Sequence, residues 1–445
     1  MTSVLRVLCL LGVAMGPFVG ASFAELKVLP LRANDLIYDQ HRGLVYATVP
    51  GSVPGVGNRV HVIDPLGGQV DHSVFVGSEP NKMAISDDGQ YLYVALDGAA
   101  AVVRLELPNL IFDLQFPLGI DPSYGPLYAE DIEVQPDNPG VVAVSLKRLG
   151  VSPRHGGVAI YDEGVKRPVQ TPDHTGSNVI EFATVADRLY GYNTESTEFG
   201  FRTMKVDATG VVTLTTVRDL FSSFGADIEH AAGVIYSTTG KAISPESPVL
   251  LGTYTGVGSA TAVAPDPATD RVYFLTSGGT VHIYELSTFV FVDSIDVDVS
   301  GVADDLIRWG DHGLALTTTS DQVALLTLEL SDEDADGVDD LIDNCPTDAN
   351  TEQLDFDGDG SGDTCDRFDE DPDNLTACLA ALADAPLLYD IDDNGTVDPL
   401  TDGVLFLRYS FGFRGDPLVN QAVDLVNCAR CTAAEITTYL DGLTG

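Results

Sequence analysis

Residues 35–49 read DLIYDQHRGLVYATV, and residues 81–96 read NKMAISDDGQYLYVAL. Each stretch is a short segment with aliphatic residues, a polar turn, and a second segment with an aromatic residue near its centre. Aromatic and β-branched residues bounded by such turn residues predict a β-hairpin. Five further segments share the outline, at residues 130–146, 178–193, 226–240, 261–277 and 304–320.

The seven units recur at offsets of 46, 49, 48, 48, 35 and 43 residues. A period near 45 residues is typical of one four-stranded propeller blade. The last unit has a third strand, QVALLTLEL at 322–330, but no fourth, whereas ELKVLPL at 25–31 is a strand without a blade. The sequence therefore predicts a mainly β fold, a closed seven-bladed β-propeller over residues 25–330, in which ELKVLPL completes the last blade.

Two stretches within this region, IDPLGGQV at 63–70 and SDDGQYLYVAL at 86–96, are similar to the YVTN/WD40-like propeller superfamily. This resemblance implies the propeller fold. Because propellers carry both binding proteins and enzymes, the fold alone implies no activity.

A different chemistry follows the propeller, in a stretch of paired aspartate ladders. Residues 332–366 read DEDADGVDDLIDNCPTDANTEQLDFDGDGSGDTCD, with acidic residues at positions 1, 3, 5, 9 and 12 of two twelve-residue loops and glycine at position 6 of each. Oxygen donors at this spacing suit Ca²⁺. A solvated acidic linker is the alternative interpretation of such a charge run. The predicted Ca²⁺ ligands are Asp332, Asp334, Asp336, the carbonyl of Val338, Asp340 and Asp343, and then Asp355, Asp357, Asp359, the carbonyl of Ser361, Asp363 and Asp366.

This stretch resembles the thrombospondin type 3 repeat, with the pattern DxDxDGxxDxxDNCPxxxNxxQxDxDGDGxGDxCD. The resemblance implies a chain wrapped around calcium ions and cysteines joined in disulfides, here Cys345 with Cys365. We assign residues 331–373 to this repeat and the acidic linker that follows it.

Residues 374–445 contain a third loop with calcium-ligand spacing. The helical pattern LTACLAALADA precedes this loop, GVLFLRYSFGF follows it, and a last helix is predicted from Thr432, with a capping box to Glu435. The segment resembles a dockerin-like calcium module, which implies a cohesin-like partner, although dockerins have two such loops. Its predicted ligands are Asp390, Asp392, Asn394, Thr396, Asp398 and, one residue late for position 12, Asp402.

Charge and the amino-terminal residues bear on location and partners. Residues 1–24 combine an apolar stretch with small residues before Glu25, which predicts a secretory signal cleaved after Ala24. The net charge of −44 argues against nucleic acid and anionic membranes as partners, and no later segment has 18 continuous apolar residues. We therefore expect a secreted protein, extracellular or at the cell surface or in a periplasm, with no membrane insertion.

Three further cysteines follow the repeat: Cys378, Cys428 and Cys431. The CxxC spacing of Cys428 and Cys431 lacks the two additional ligands of a zinc site and the context of a thioredoxin-like redox motif. A disulfide within the pair, or from one member to Cys378, is the expectation.

Two functions remain open. In the first, the protein is a secreted calcium-binding adhesion or scaffold protein whose propeller binds an extracellular protein or polysaccharide. In the second, the propeller is a lactonase-type or lyase-type enzyme, and the calcium modules anchor it. No catalytic motif favours the second, but two histidines, His155 and His174, could reach the central channel. Acidic residues at strand starts could line the channel mouth or cap turns; they are Glu130, Asp131, Asp227, Asp304 and Asp305.

Overall fold

The structure is a computed structural model of the 445-residue chain. It describes residues 23–258, 260–311, 313–328, 334, 336, 338, 343–356, 360–366, 390–396, 401–411, 413–420, 422–423 and 427–444. The chain divides into two compact units, with the boundary between Ser331 and Asp332. Most of the predicted signal, the helix predicted at LTACLAALADA and Cys378 lie outside the described residues. No described helix is long and apolar enough to cross a membrane.

The first unit consists of seven four-stranded antiparallel sheets, and the strands within each sheet pair in sequence order except in the last. Blades 1 to 3 contain β2 (Asp35–Asp39), β3 (Leu44–Val49), β4 (Arg59–Asp64) and β5 (Gln69–Phe75); β6 (Pro80–Ile85), β7 (Tyr91–Leu96), β8 (Ala101–Glu106) and β9 (Ile111–Pro117); and β12 (Tyr128–Val134), β13 (Val141–Lys147), β14 (His155–Asp162) and β15 (Val165–Lys166). A small hairpin, β10 (Ile120–Asp121) and β11 (Gly125–Pro126), precedes blade 3.

Blades 4 to 6 continue the same pattern. Their strands are β16 (Val179–Phe182), β17 (Arg188–Tyr192), β18 (Phe201–Asp207) and β19 (Gly210–Val217); β20 (Ile228–Ala231), β21 (Val234–Ser237), β22 (Lys241–Ser244) and β23 (Val249–Thr253); and β24 (Ala260–Asp266), β25 (Arg271–Thr276), β26 (Thr280–Glu285) and β27 (Phe291–Asp296). All seven predicted hairpins are therefore the first two strands of a blade.

Blade 7 closes the ring with a strand from each end of the unit. It contains β28 (Ala303–Trp309), β29 (Gly313–Thr318) and β30 (Gln322–Leu328), and its outermost strand is β1 (Phe23–Leu29). β1 pairs antiparallel with β30, with Leu26 opposite Leu326 and Leu29 opposite Val323. The predicted closure is confirmed, although the strand ends at Leu29 and Leu31 lies beyond it.

Burial follows position within a blade. The second strands are almost wholly buried, because both faces of a blade pack on neighbouring blades: β7 is buried from Leu92 to Leu96. The outermost strands face solvent, as in β5, where four consecutive residues from Gln69 are exposed. This gradient explains the long apolar runs of the second strands.

The second unit includes three helices: α1 (Asp402–Ser410), α2 (Asp416–Val419) and α3 (Ala433–Thr444). α3 begins after Thr432, whose backbone N–H donates to Glu435 Oε2 at 3.0 Å and whose hydroxyl oxygen accepts the N–H of Glu435 at 3.4 Å, the reciprocal pair of a capping box. The helices share a small core with the loop that starts at Asp390. Its buried members are Ile391, Leu405, Leu418, Ala422, Ile436 and Leu440.

Candidate cation sites and the carboxylate-lined channel

At the innermost strand of four blades, an aspartate comes directly before a buried aliphatic residue. These residues are Asp35, Asp131, Asp227 and Asp305. Asp35 Oδ2 accepts the backbone N–H of Met83 in blade 2 at 2.7 Å. Asp131 Oδ2 accepts the N–H of Ile180 in blade 4 at 2.8 Å. Asp35 and Asp131 therefore each join one blade to the next at the inner wall.

The same bond closes the ring. Asp305 Oδ2 in blade 7 accepts the N–H of Leu36 in blade 1 at 3.2 Å, so the ring closes on its inner side as well as through β1. Asp227 lies directly before β20, and its Oδ1 accepts the N–H of the adjacent Ile228 at 3.0 Å. Asp35, Asp131 and Asp305 therefore bridge neighbouring blades, a role that neither channel lining nor turn capping predicts.

A single lysine lies among these carboxylates. Lys82 Nζ is 3.0 Å from Asp35 Oδ1. Attraction by Asp35 raises the pKa of Lys82 well above its usual value, despite burial, and Asp305, Asp227 and Asp131 add to the effect. Lys82 is therefore held as a cation.

Three glutamates carry the acidic lining further along the inner strands: Glu133, Glu181 and Glu229. Enclosure by protein, followed by repulsion from neighbouring carboxylates, raises the pKa of all three well above the usual range. Burial likewise raises the pKa of Asp131 and of Asp305 to about 7. At neutral pH the inner wall therefore holds fewer negative charges than its carboxyl groups would allow.

The two histidines considered for the channel do not form a site. His155 is fully buried, and neither ring nitrogen meets a hydrogen-bond partner within the described protein. Burial, with repulsion by Arg202 and Arg148, lowers the pKa of His155 to about 3. His174 is exposed and contacts the neighbouring Thr175 hydroxyl at 3.1 Å.

In the second unit, the structure brings three predicted calcium ligands together. Asp390, Asp392 and Asp402 each offer a carboxylate oxygen, and these oxygens lie within 4.8 Å of one another. The exposed fractions of the three residues are 0%, 0% and 2%. Asp402 is the first residue of α1, which explains its position one residue later than the twelve-residue spacing predicts.

Backbone amides hold these carboxylates in place. Asp390 Oδ1 and Oδ2 accept the N–H groups of Asn394 and Gly395 at 2.9 and 2.8 Å. Asp402 Oδ1 accepts the N–H of Ile391 at 2.5 Å and of Asp392 at 3.2 Å. The first and last acidic residues of the loop are therefore fixed by the loop's own backbone.

A second group consists of Asp334, Asp336 and Asp343, whose carboxylate oxygens also lie within 4.8 Å of one another. Asp343 is 8% exposed. Its Oδ1 accepts the N–H of Cys345 at 2.7 Å and the side-chain amide of Gln353 at 2.8 Å. Its Oδ2 is buried without a hydrogen-bond partner among the described residues. That oxygen is available to a cation.

The remaining predicted ligands do not form a third such group among the described residues. Val338 donates its N–H to Asp336 Oδ1 at 2.8 Å, and Asp355 Oδ2 accepts the N–H of Gly360 at 3.0 Å. Asp363 Oδ1 accepts the N–H of Phe356 at 2.7 Å. Ser361, Asp366, Asn394 and Thr396 are described, whereas Asp332, Asp340, Asp357, Asp359 and Asp398 lie outside the described residues.

Sequence reasoning missed the amides that orient the second group. Asn350 donates its side-chain amide to Asn344 Oδ1 at 2.6 Å and its backbone N–H to Asp336 Oδ2 at 2.6 Å. The fixed Asn and Gln positions in the NCPxxxNxxQ pattern were a signal for these orienting residues.

The sulfur atoms of Cys345 and Cys365 are bonded in the structure, as are those of Cys428 and Cys431.

No protein-family model and no curated protein matches this chain. Among solved structures, the chain is similar to the crystal structure of the Cps50 (Swd1) β-propeller domain of Myceliophteria thermophila, with a TM-score of 0.54 and 11% sequence identity. The match covers 69% of this chain and 100% of that domain. At this identity the likeness shows the propeller fold alone.

Proposed function

We propose that this protein is a secreted Ca²⁺-binding scaffold or adhesion protein, in which the propeller carries the binding surface and the acidic second unit holds calcium. One observation carries the calcium proposal: three carboxylates, Asp390, Asp392 and Asp402, converge with almost no exposure to water.

Electrostatic repulsion makes such a group costly without a cation. Two unit charges about 5 Å apart repel by on the order of 3 kcal/mol at the effective dielectric constant found in proteins. Three such pairs approach the whole net stability of a typical domain, about 5–15 kcal/mol. The backbone amides that reach Asp390 and Asp402 offset part of this repulsion, and a divalent cation would remove most of the rest.

The donor set favours calcium among the divalent cations. Every candidate ligand offers oxygen, and in both groups the first two aspartates are two residues apart and the third closes the same loop. Calcium takes six to eight oxygen ligands in flexible geometry, whereas zinc prefers nitrogen and sulfur. Asp390, Asp392 and Asp402 would hold one ion, and Asp334, Asp336 and Asp343 a second. Bound calcium would neutralise and cross-link these loops.

The scaffold proposal rests on how the channel carboxylates are used. Asp35, Asp131 and Asp305 accept backbone N–H groups of the adjacent blade, and Lys82 pairs with Asp35. Groups engaged in holding blades together support a rigid platform for an extracellular protein or polysaccharide. The two disulfides and the apolar residues at 1–24 support export.

A second candidate, a lactonase-type or lyase-type propeller enzyme, is favoured by one observation. Glu133, Glu181 and Glu229 lie together on the inner strands with strongly raised pKa values, and clustered carboxyl groups with perturbed pKa values are candidates for acid–base chemistry. Loss of a detected activity in Glu181→Gln, with Glu106→Gln as an exposed control, would support this candidate over the scaffold.

Calorimetric titration of the full chain with Ca²⁺ tests the calcium proposal. We expect Asp402→Asn to remove one binding event and Asp336→Asn to remove another. Asp416→Asn, a change of the same charge at an exposed residue of α2, should leave both events intact. A titration of Asp402→Asn that matches the parent in stoichiometry and affinity would contradict the assignment.

A further inference from the structure

The turn that contains Cys428 and Cys431 contacts the backbone of the Asp390 loop directly. The N–H of Ala429 donates to the carbonyls of Asp392 and Asp393, both at 3.1 Å, and the N–H of Arg430 donates to the carbonyl of Asp392 at 2.9 Å. The cysteine turn therefore supplies donors to the segment that carries two of the three buried carboxylates.

The side chain of Arg430 also contacts this segment. Its Nε donates to the carbonyl of Ile391 at 2.9 Å, and its second terminal nitrogen donates to the carbonyl of Asp390. Asp393 lies 3.3 Å from the guanidinium, which also stacks on the Tyr439 ring at 3.9 Å. A lysine could not make this forked set of contacts, because it has a single donor nitrogen.

The turn is itself held at both ends. The Cys428–Cys431 disulfide spans three residues and encloses Ala429 and Arg430. Immediately afterwards, Thr432 begins the capping box of α3, and Ile436 and Leu440 of that helix pack on Ile391 and Leu405. The donors of Ala429 and Arg430 are therefore fixed relative to the loop by a covalent bond on one side and by a packed helix on the other.

We propose that the Cys428–Cys431 turn positions the Asp390, Asp392 and Asp402 site, and that opening its disulfide weakens cation binding there. This inference rests on the proposed calcium function. Partners that orient metal ligands typically change metal affinity by about 10–100-fold when they are lost. Arg430 acts as a positioning residue, because it reaches the site through the carbonyls of residues 390 and 391.

The redox step balances with a dithiol as the reductant. The dithiol transfers two electrons and two protons, the Cys428–Cys431 sulfur–sulfur bond breaks into two thiols, and the dithiol becomes a disulfide. The opened turn loses its constraint on Ala429 and Arg430, so the carbonyls of residues 390–393 lose fixed donors. Calcium affinity at this site should then depend on the thiol–disulfide balance of the surroundings.

The test is Ca²⁺ titration of the full chain in an Asp336→Asn background, which leaves the Asp390, Asp392 and Asp402 site as the one to be followed. Replacing Cys428 and Cys431 together by Ser should raise Kd about tenfold, and Arg430→Lys should raise it in the same direction. The matched control replaces Cys345 and Cys365 by Ser and should leave Kd within about twofold of the parent. Dithiol treatment of that control should reproduce the tenfold loss, and dithiol should have no further effect on the Cys428 and Cys431 variant.

The experiment distinguishes a failure of the calcium function from a failure of the positioning role. If Asp402→Asn in the same background fails to remove calcium binding, the proposed calcium function is wrong. If Asp402→Asn removes binding but the Cys428 and Cys431 variant keeps the parent Kd, only the positioning role is wrong. Hydrogen exchange of residues 390–396 without calcium gives a second readout: faster exchange in that variant supports the role, and unchanged exchange overturns it.

Discussion

At the scale of single residues, the channel carboxylates have two effects on stability that depend on pH. The carboxylates of Asp35, Asp131 and Asp305 stabilise the ring by accepting amides of adjacent blades. Burial of the charged carboxylates, and to a smaller extent repulsion between them, opposes this gain. The pKa of Asp131 and of Asp305 rises from the usual 3.8 to about 7, mainly through burial. The folded state then binds more protons than the unfolded state between those values, so the cost of keeping these charged groups away from water disappears as the pH falls from about 7 to about 4.

We expect Glu229→Gln to stabilise the propeller at high pH. Asp227 and Asp305 both repel the Glu229 carboxylate, and the amide removes that charge. The melting temperature should rise by about 2–4 °C at pH 8, as a gain of 1 kcal/mol would produce, and should hardly change at pH 5. Thermal melts of Glu229→Gln and of the exposed control Glu106→Gln at both pH values measure this. A rise of equal size at both pH values would contradict the charge argument. The buried His155 also favours the folded state at higher pH, but it is the same in all variants and does not affect the comparison.

At the scale of elements, the sequence predicts the hairpins well and the irregular connections poorly. The turns in SDDGQ and similar stretches carry strong signals: Gly89 has φ of +63°, and a Cβ there would lie 2.5 Å from the His41 ring. In contrast, the two-residue β15 and the β10–β11 hairpin have too few residues for a periodic pattern. The chain next to β15 is positioned by hydrogen bonds to distant segments, such as that from Val169 N–H to the Thr209 carbonyl at 2.8 Å.

The stability of the propeller should depend on the closing strand β1. Deleting residues 25–31 should lower the melting temperature markedly or cause aggregation, because β30 would become an unpaired edge. The deletion also removes Leu26, which packs on the core between blades 6 and 7, and Leu31, which is 5% exposed. Each fully buried aliphatic side chain contributes roughly 1.5–3 kcal/mol.

The control for this deletion is Lys27→Ala, which keeps the strand and should melt close to the parent. Calcium binding by the second unit should persist in both proteins. A deletion variant that melts like the parent would show that the inner bond from Leu36 N–H to Asp305 is enough to close the ring.

At the scale of the whole molecule, the sequence predicts the repeated local patterns but not the contacts between segments that are distant in the chain. Hairpins and aspartate ladders are local patterns, and both can be read from the chain. The inner acidic wall is not local: Glu133, Glu181 and Glu229 are each 48 residues apart in the chain, and they interact because the inner strands of consecutive blades pack side by side. Arg430 and Asn350 also escaped prediction, because their partners, the Ile391 carbonyl and the Asp336 carboxylate, lie 39 and 14 residues away in the chain.

We expect calcium to hold the loops of the second unit in place. Amide hydrogen exchange of the full chain, followed by mass spectrometry with Ca²⁺ and with a chelator, tests it most directly. We expect the amides of residues 343–356 and 390–396 to exchange more slowly with calcium than with the chelator. Exchange in the second strands of the blades, such as β7 and β13, should not change. Asp402→Asn should remove the protection of residues 390–396 and leave that of 343–356. Equal exchange of both loops with and without calcium would contradict the claim.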